Sequence, residues 1–159
     1  MKNDESSLEI IEFQPAFAIN FKDLNEAWIT TYFTLEEADR KALGNPQSYI
    51  IDKGGHILFA SYENKMVGTC ALIKTNEHTF ELAKMAVTPQ MQGKKIGYLL
   101  GQAAIAKAKE AGAEKLFLES NRKLKPAIHL YEKLGFVEKE MQSSPYARCD
   151  IYMELALNK

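Results

Sequence analysis

The sequence predicts a mixed α/β domain organised around one central sheet, and three observations carry that expectation. Two β-rich runs, His56 to Glu63 and Met66 to Lys74, flank Asn64-Lys65 in the manner of a hairpin. The apolar period then switches. Phe80 to Val87 reads as a strand, whereas Ile96, Leu99, Leu100, Ala103 and Ala104 recur at helical spacing. Last, Cys149, Ile151, Met153, Leu155 and Leu157 alternate as one face of a closing strand. A chain of 159 residues is expected to form one domain over residues 1–159. At this size, burial of roughly 68–70% of the unfolded surface provides one real core.

Residues 1–7 read as a frayed leader, and Leu8 to Phe13 as a first strand. Asp23 to Leu43 is helical, with a break near Phe33-Thr34; Thr34 has the spacing of a cap, with Glu37 three residues on. Gly44-Asn45-Pro46 ends this region, and Tyr49-Ile50-Ile51 is a short strand or a helix end. Asp52-Lys53-Gly54-Gly55 and Thr75-Asn76-Glu77-His78 are turns around the hairpin. Thr88-Pro89 stops the Phe80 strand, because proline has no N–H for a ladder. Gly112 follows the long helix, where a left-handed stop is common. Lys115 to Ser120 is a short strand, Pro126 to Leu134 a helix ended by Gly135, and Phe136 to Met141 another strand. A helical crossover therefore ties the strand near Val87 to the one near Leu118.

Apolar content of 46%, charged content of 26% and a net charge of −1 are ordinary for a globular protein. The overall field favours neither nucleic acid nor a membrane surface. Basic residues are local and not interleaved with aromatics, which argues against nucleic-acid binding. The polar, acidic N-terminus has no apolar signal core, and no run is long enough to span a bilayer, so a soluble cytoplasmic location is expected. Cys70 and Cys149 match no metal spacing and read as reduced thiols. His56, His78 and His129 form no ligand set with other residues, so no metal is expected.

Between strand and long helix lies Gln90-Met91-Gln92-Gly93-Lys94-Lys95-Ile96-Gly97. A glycine turn opening a helix offers free backbone N–H groups and the positive end of the helix dipole, which suits phosphate. Lys94 and Lys95 add charge, and Gly93 and Gly97 allow close approach. The dinucleotide pattern G-x-G-x-x-G is missing, and Gly93-Lys94 is followed by Lys95 rather than the Ser or Thr of a Walker loop. The segment instead resembles the acyl-CoA-binding motif of the GNAT superfamily of N-acetyltransferases, Gln/Arg-x-x-Gly-x-Gly/Ala. Gln90 and Gly93 match its first and fourth positions; Lys95 stands at the sixth, and Gly97 follows. Downstream, NRKLKPAIHLYEKLGF from Asn121 to Phe136 resembles the family's second signature. Together the two cover about residues 80–137, the expected cofactor-binding core.

The resemblance implies a mixed sheet of about six to seven strands flanked by helices and splayed near the cofactor. It implies acetyl-CoA as co-substrate, without a metal, and transfer of its acetyl group to an amine of a small molecule or protein by direct attack in a ternary complex. Met85, Ala86 and Val87 would meet the cofactor as an added strand, with the Val87 N–H turned to the developing oxyanion. Gln92, Gly93, Lys94, Lys95, Ile96, Gly97 and Tyr98 would hold pyrophosphate, with Asn121 and Ala127 completing the cofactor site. An amine resembling lysine has a pKa of about 10.4 and must shed a proton before attack. Glu81 is the candidate base by resemblance, and Tyr131 the candidate acid for the departing thiolate.

Arg122, Lys123 and Lys125 form a local basic cluster that could face the adenosine 3′-phosphate. Trp28, Tyr32 and Phe33 read as core or groove wall, and as candidates to line the acceptor pocket; Glu36 or Glu37 would attract an amine. A catalytically silent acyl-CoA-binding module is the competing function. A homodimer through the terminal strands is a further expectation.

Overall fold

The structure, a computed structural model, describes residues 8–91, 93–141 and 143–157. The leader expected over residues 1–7 and the predicted site residue Gln92 lie outside the described residues. The elements are β1 (Leu8–Glu12), α1 (Ala18–Tyr32), α2 (Glu37–Gly44), β2 (His56–Tyr62), β3 (Lys65–Asn76), β4 (Thr79–Val87), α3 (Ile96–Glu110), β5 (Lys115–Ser120), α4 (Lys125–Leu134), β6 (Val137–Lys139) and β7 (Ile151–Ala156). The strands form a seven-stranded sheet in the order β1-β2-β3-β4-β5-β7-β6. It is antiparallel except for the β4–β5 pair, which the α3 crossover makes parallel. Among the described residues no helix is long and apolar enough to cross a membrane.

Strand alternation divides the interior in two. Leu58 and Ala60 on β2 face α3 together with Phe80, Leu82, Leu100, Leu116 and Met153. Ile57 and Phe59, the intervening residues, face α1 and α2 and pack with Phe21, Ile29 and Leu43. The β2–β3 turn falls at Glu63-Asn64, one residue earlier than expected. Both carry positive φ, 50° and 68°, as a two-residue hairpin of matching twist requires.

Other boundaries differ from expectation for local reasons. α1 begins at Ala18, after a 3-10 turn over Pro15–Phe17, rather than at Asp23. Thr34 is not a cap. Glu36 takes that position, and it and Asp39 cap each other reciprocally. Gln47–Ile51 is a single π-helical turn, not a strand. The strands expected from Phe136 and Cys149 shorten to β6 and β7, and residues 143–149 instead form a loop over the sheet.

Two features of β4 shape the centre. First, Thr69 pairs with Ala86 while Ala71 pairs with Ala83, so three steps on β4 oppose two on β3. This bulge contains Lys84, whose φ is 58°. Second, β4 and β5 pair only through Thr79–Lys115, Phe80–Leu116 and Glu81–Phe117. Beyond Glu81 they diverge, because β4 continues along β3 to Val87 while β5 continues along β7 to Ser120.

The bulge sends Lys84 to a buried ion cluster. Asp39, at 0% side-chain exposure, accepts from Lys84 Nζ at 2.8 Å. It also accepts from both terminal nitrogens of Arg148, at 2.7 and 2.8 Å, and from the Glu36 N–H at 2.9 Å. Burial alone would raise the Asp39 pKa. The bonds from Arg148 and Lys84 outweigh it and hold the carboxyl well below its usual range. Lys84 also donates to the Tyr146 hydroxyl at 2.9 Å, and Glu36 accepts the Ala147 N–H at 3.0 Å. Thus α2, the bulge and the 143–149 loop share one carboxylate.

On the opposite face, α3 and α4 meet through missing side chains. A Cβ at Gly101 would lie 2.5 Å from Leu134 Cδ1, and one at Gly97 3.1 Å from Leu130 Cδ2. Gly101→Val is therefore expected to cost about 1–3 kcal/mol by overpacking, read from denaturant unfolding. Combined with Leu134→Ala, it should lose less than the sum of the two single changes.

Asp39→Ala strands two cations in the interior and is expected to cost about 3–5 kcal/mol. The stabilisation by ionised Asp39 is complete above its unfolded pKa of 3.8 and fades as pH falls further. The stability gap between wild type and Asp39→Ala should therefore narrow on acidification below that value.

Candidate active site

Where β4 leaves β5, the sheet opens into a V, and two adjoining cavities occupy it. The larger is a groove of about 680 Å³ between the end of β4, the start of α3 and α4. The smaller, about 90 Å³, lies deeper between β4, β5, α1 and the 143–149 loop. Trp28, Met85, Leu124 and Tyr131 belong to both walls, so the cavities meet at these four residues.

The groove follows from the α3 start. Pro89–Met91 is a 3-10 turn, Gly93 takes φ 87°, and Lys95 caps the helix with φ 65°. Left-handed backbone is costly for a residue with a Cβ, which explains why glycine suits this stretch. The first helical bond runs from the Leu99 N–H to the Lys95 carbonyl at 3.0 Å. The N–H groups of Ile96, Gly97 and Tyr98 consequently have no partner within the helix, and its positive dipole end faces the groove. Lys95, Lys123 and Lys133 bring cations to the same walls. Lys133 lies 4.8 Å above the Tyr98 ring, and Lys123 4.6 Å above Phe33.

Of the predicted cofactor residues, Met85, Val87, Gly93, Lys95, Ile96, Gly97, Tyr98 and Ala127 line this groove, as do Tyr32 and Tyr131. Lys94 is exposed and lines neither cavity, and Ala86 is buried in the sheet. Asn121 lines the smaller cavity. Its amide donates to the Arg148 carbonyl at 2.6 Å and accepts the Lys123 N–H at 2.9 Å, so it fixes the local turn. Arg122 is exposed and pairs with Glu138. Glu36 is committed to α2 and the loop, and Glu37 is exposed.

The smaller cavity holds Glu81 and Phe33, and beside them four polar groups that sequence reasoning missed: Lys84, Glu119, Tyr146 and Arg148. Glu81 pairs in register with Phe117, so Glu119, two residues on, shares its face of the sheet. Glu119 accepts from the Ser144 hydroxyl at 2.7 Å. Burial, helped by the charge of Glu119 and opposed by Lys84, pushes Glu81 up to about 7. Burial likewise pushes the Tyr131 phenol up to about 12, leaving it protonated at neutral pH. The alternation in LFLES was a usable signal for Glu119, because it places that residue on the side opposite Leu116 and Leu118. Nothing local marked Arg148, which reaches the site from a loop 109 residues beyond its partner Asp39.

A carboxylate therefore stands in a small chamber that opens onto a groove lined by a helix N-terminus and three lysines. Comparison with known proteins identifies the family and the fold. The chain is 30% identical to the uncharacterized N-acetyltransferase YjgM of Escherichia coli over 65% of this chain and 66% of that protein. It is 31% identical to the uncharacterized N-acetyltransferase YvbK of Bacillus subtilis over 62% of this chain and 65% of that one. The matches thus span about two thirds of the relatives' length. A GNAT-family acetyltransferase from Staphylococcus aureus superposes with a TM-score of 0.86 at 21% identity, covering 95% of this chain and 99% of that one. YncA of Salmonella typhimurium, solved with its cofactor acetyl-CoA, superposes with a TM-score of 0.75 at 17% identity, covering 96% and 95%. The acetyltransferase (GNAT) family model matches residues 17–136, and the chain belongs to that family.

Proposed function

We propose that this protein is an N-acetyltransferase that moves the acetyl group of acetyl-CoA to a primary amine by direct attack in a ternary complex. The junction of the two cavities at Met85 and Tyr131 carries this reading. It brings the open edge of β4 and the start of α3 next to a carboxylate that titrates near neutrality. Pantetheine runs along Met85 to Val87, and pyrophosphate takes the N–H groups from Gly93 to Tyr98 with Lys95 alongside. The thioester then lies at the junction, and the amine enters from the smaller cavity.

Glu81 accepts the proton of the incoming ammonium. Its raised pKa shortens the uphill transfer by about 3 kcal/mol relative to an ordinary glutamate. The neutral amine attacks the thioester carbon, and the Val87 N–H steadies the oxyanion. The C–S bond then breaks. A phenol at about 12 is a weaker acid than a thiol at about 8.5, so Tyr131 acts as a hydrogen-bond donor to the departing thiolate. The proton that completes coenzyme A comes from the acylated nitrogen. Positioning supplies much of the remaining acceleration.

Thiol release from acetyl-CoA across a panel of amines tests this function. Turnover is expected, with activity rising as pH passes 7 and Glu81 ionises. Glu81→Gln should lower kcat by about 10²–10⁴-fold and remove that limb; Tyr131→Phe should lower it by about 10–100-fold. Coenzyme A binding without turnover on any amine would instead identify a silent acyl-CoA-binding module. Gly93→Glu places a side chain on left-handed backbone and a negative charge at the phosphate cradle. It is expected to weaken coenzyme A at least tenfold by calorimetry, and unchanged affinity would displace pyrophosphate from this turn.

A further inference from the structure

We propose that the acceptor is a compact primary amine with no carboxylate beside its nitrogen, held as its ammonium between Glu81 and Glu119, and that Glu119 selects it. This rests on reading the chain as an amine acetyltransferase.

Charge balance across the smaller cavity points that way. Its two cations are already neutralised: Asp39 takes both ends of Arg148 and the ammonium of Lys84, and Glu36 adds a further contact to Arg148 at 3.5 Å. Lys84 and Arg148 line the chamber, but at 5% and 15% exposure they hold their charge against Asp39. The two carboxylates have no such partners. Among the described residues no cation forms a salt bridge with Glu81 or Glu119, and the hydroxyl of Ser144 is the donor to Glu119. The unbalanced charge of the chamber is therefore negative. It sits where the strands part, on one face of the sheet.

An arriving ammonium supplies the missing cation. After it passes one proton to Glu81, Glu119 is left as the acceptor for the remaining N–H donors of the nascent amine. A carboxylate on the same carbon would instead meet Glu119 with no free guanidinium or ammonium to receive it, and like charges in a confined site repel strongly. The chamber's volume of about 90 Å³ limits the acceptor body, and Trp28, Phe33 and Leu124 give it apolar walls. Glu119 acts here as a specificity residue, distinct from Glu81, which takes the proton.

Matched pairs test the proposal: ethylamine against alanine, and 2-methylpropylamine against valine, titrated calorimetrically into the full chain saturated with coenzyme A. Each amine is expected to bind at least tenfold more tightly than its α-carboxylate counterpart, a comparison that needs no variant to fold. Glu119→Gln should weaken the amines tenfold or more and shrink the discrimination, leaving coenzyme A affinity and Tm as in wild type. Glu119→Asp should retain part of the preference. In thiol release, Glu119→Gln should raise the amine KM and move the rising pH limb to lower pH, because the charge that helps raise the Glu81 pKa is gone, whereas Glu81→Gln should remove that limb. Equal binding within the pairs, absence of amine binding, or amine affinity indifferent to Glu119→Gln would overturn the assignment. Discriminating binding without thiol release would uphold amine recognition and overturn acetyl transfer, so the two readings fail separately.

Discussion

One carboxylate holds the functional end of this molecule together. Asp39 receives four hydrogen bonds, from Arg148 twice, Lys84 and the Glu36 N–H, and so fills its usual acceptor positions. The three partners come from a helix cap, a strand bulge and a loop, none of which contacts the others by chain continuity. Buried ions are costly to desolvate, and the cost is met only when every partner is in place. That all-or-none character fixes the 143–149 loop over the sheet. Tyr146 and Arg148 thereby become walls of the smaller cavity, and Ser144 becomes the donor that orients Glu119.

The second constraint is topological. A parallel pair flanked on both sides by antiparallel neighbours stays paired only while the flanking strands run together. Here β3 carries β4 one way and β7 carries β5 another, and the pair ends at Glu81–Phe117. The gap is therefore built by the sheet and needs no mobile lid. It also places Glu81 at the last paired position, rigid through its backbone while its side chain stands at the opening. Burial and the neighbouring Glu119 then raise its pKa to about 7.

The fold was largely legible because its signals are local. The hairpin, the strand-to-helix switch at Val87–Ile96 and the alternation of the last strand are patterns within a few residues of one another. The groove was legible for the same reason: Gly93, Lys95 and Gly97 are neighbours in sequence and in space. Of the smaller cavity, Glu81, Phe33 and Asn121 were named from sequence, but Lys84, Glu119, Tyr146 and Arg148 were not. Lys84 lies within the Phe80–Val87 strand, and the bulge that turns it inward depends on pairing with β3. Arg148 lies in a stretch with no periodicity, and its role exists only through Asp39. The Thr34 cap failed for a related reason: Glu36 was the better choice because the loop offered its side chain a second partner. Lys95, where the motif prefers glycine, proved to occupy left-handed backbone, the conformation for which glycine is the usual solution.

The glycines at positions 97 and 101 act as a width gauge for the groove. One wall is the start of α3, the other is the face of α4 bearing Ala127, Leu130 and Tyr131. Their separation is set where Leu130 and Leu134 rest against bare backbone. A single carbon added at either glycine would press on the Leu130 or Leu134 side chain, which must yield by a few tenths of an ångström at Gly97 and by more at Gly101. On the proposed reading, the helix–helix contact, remote from any reacting atom, would thus help set how far the carbonyl of a bound thioester lies from the smaller cavity.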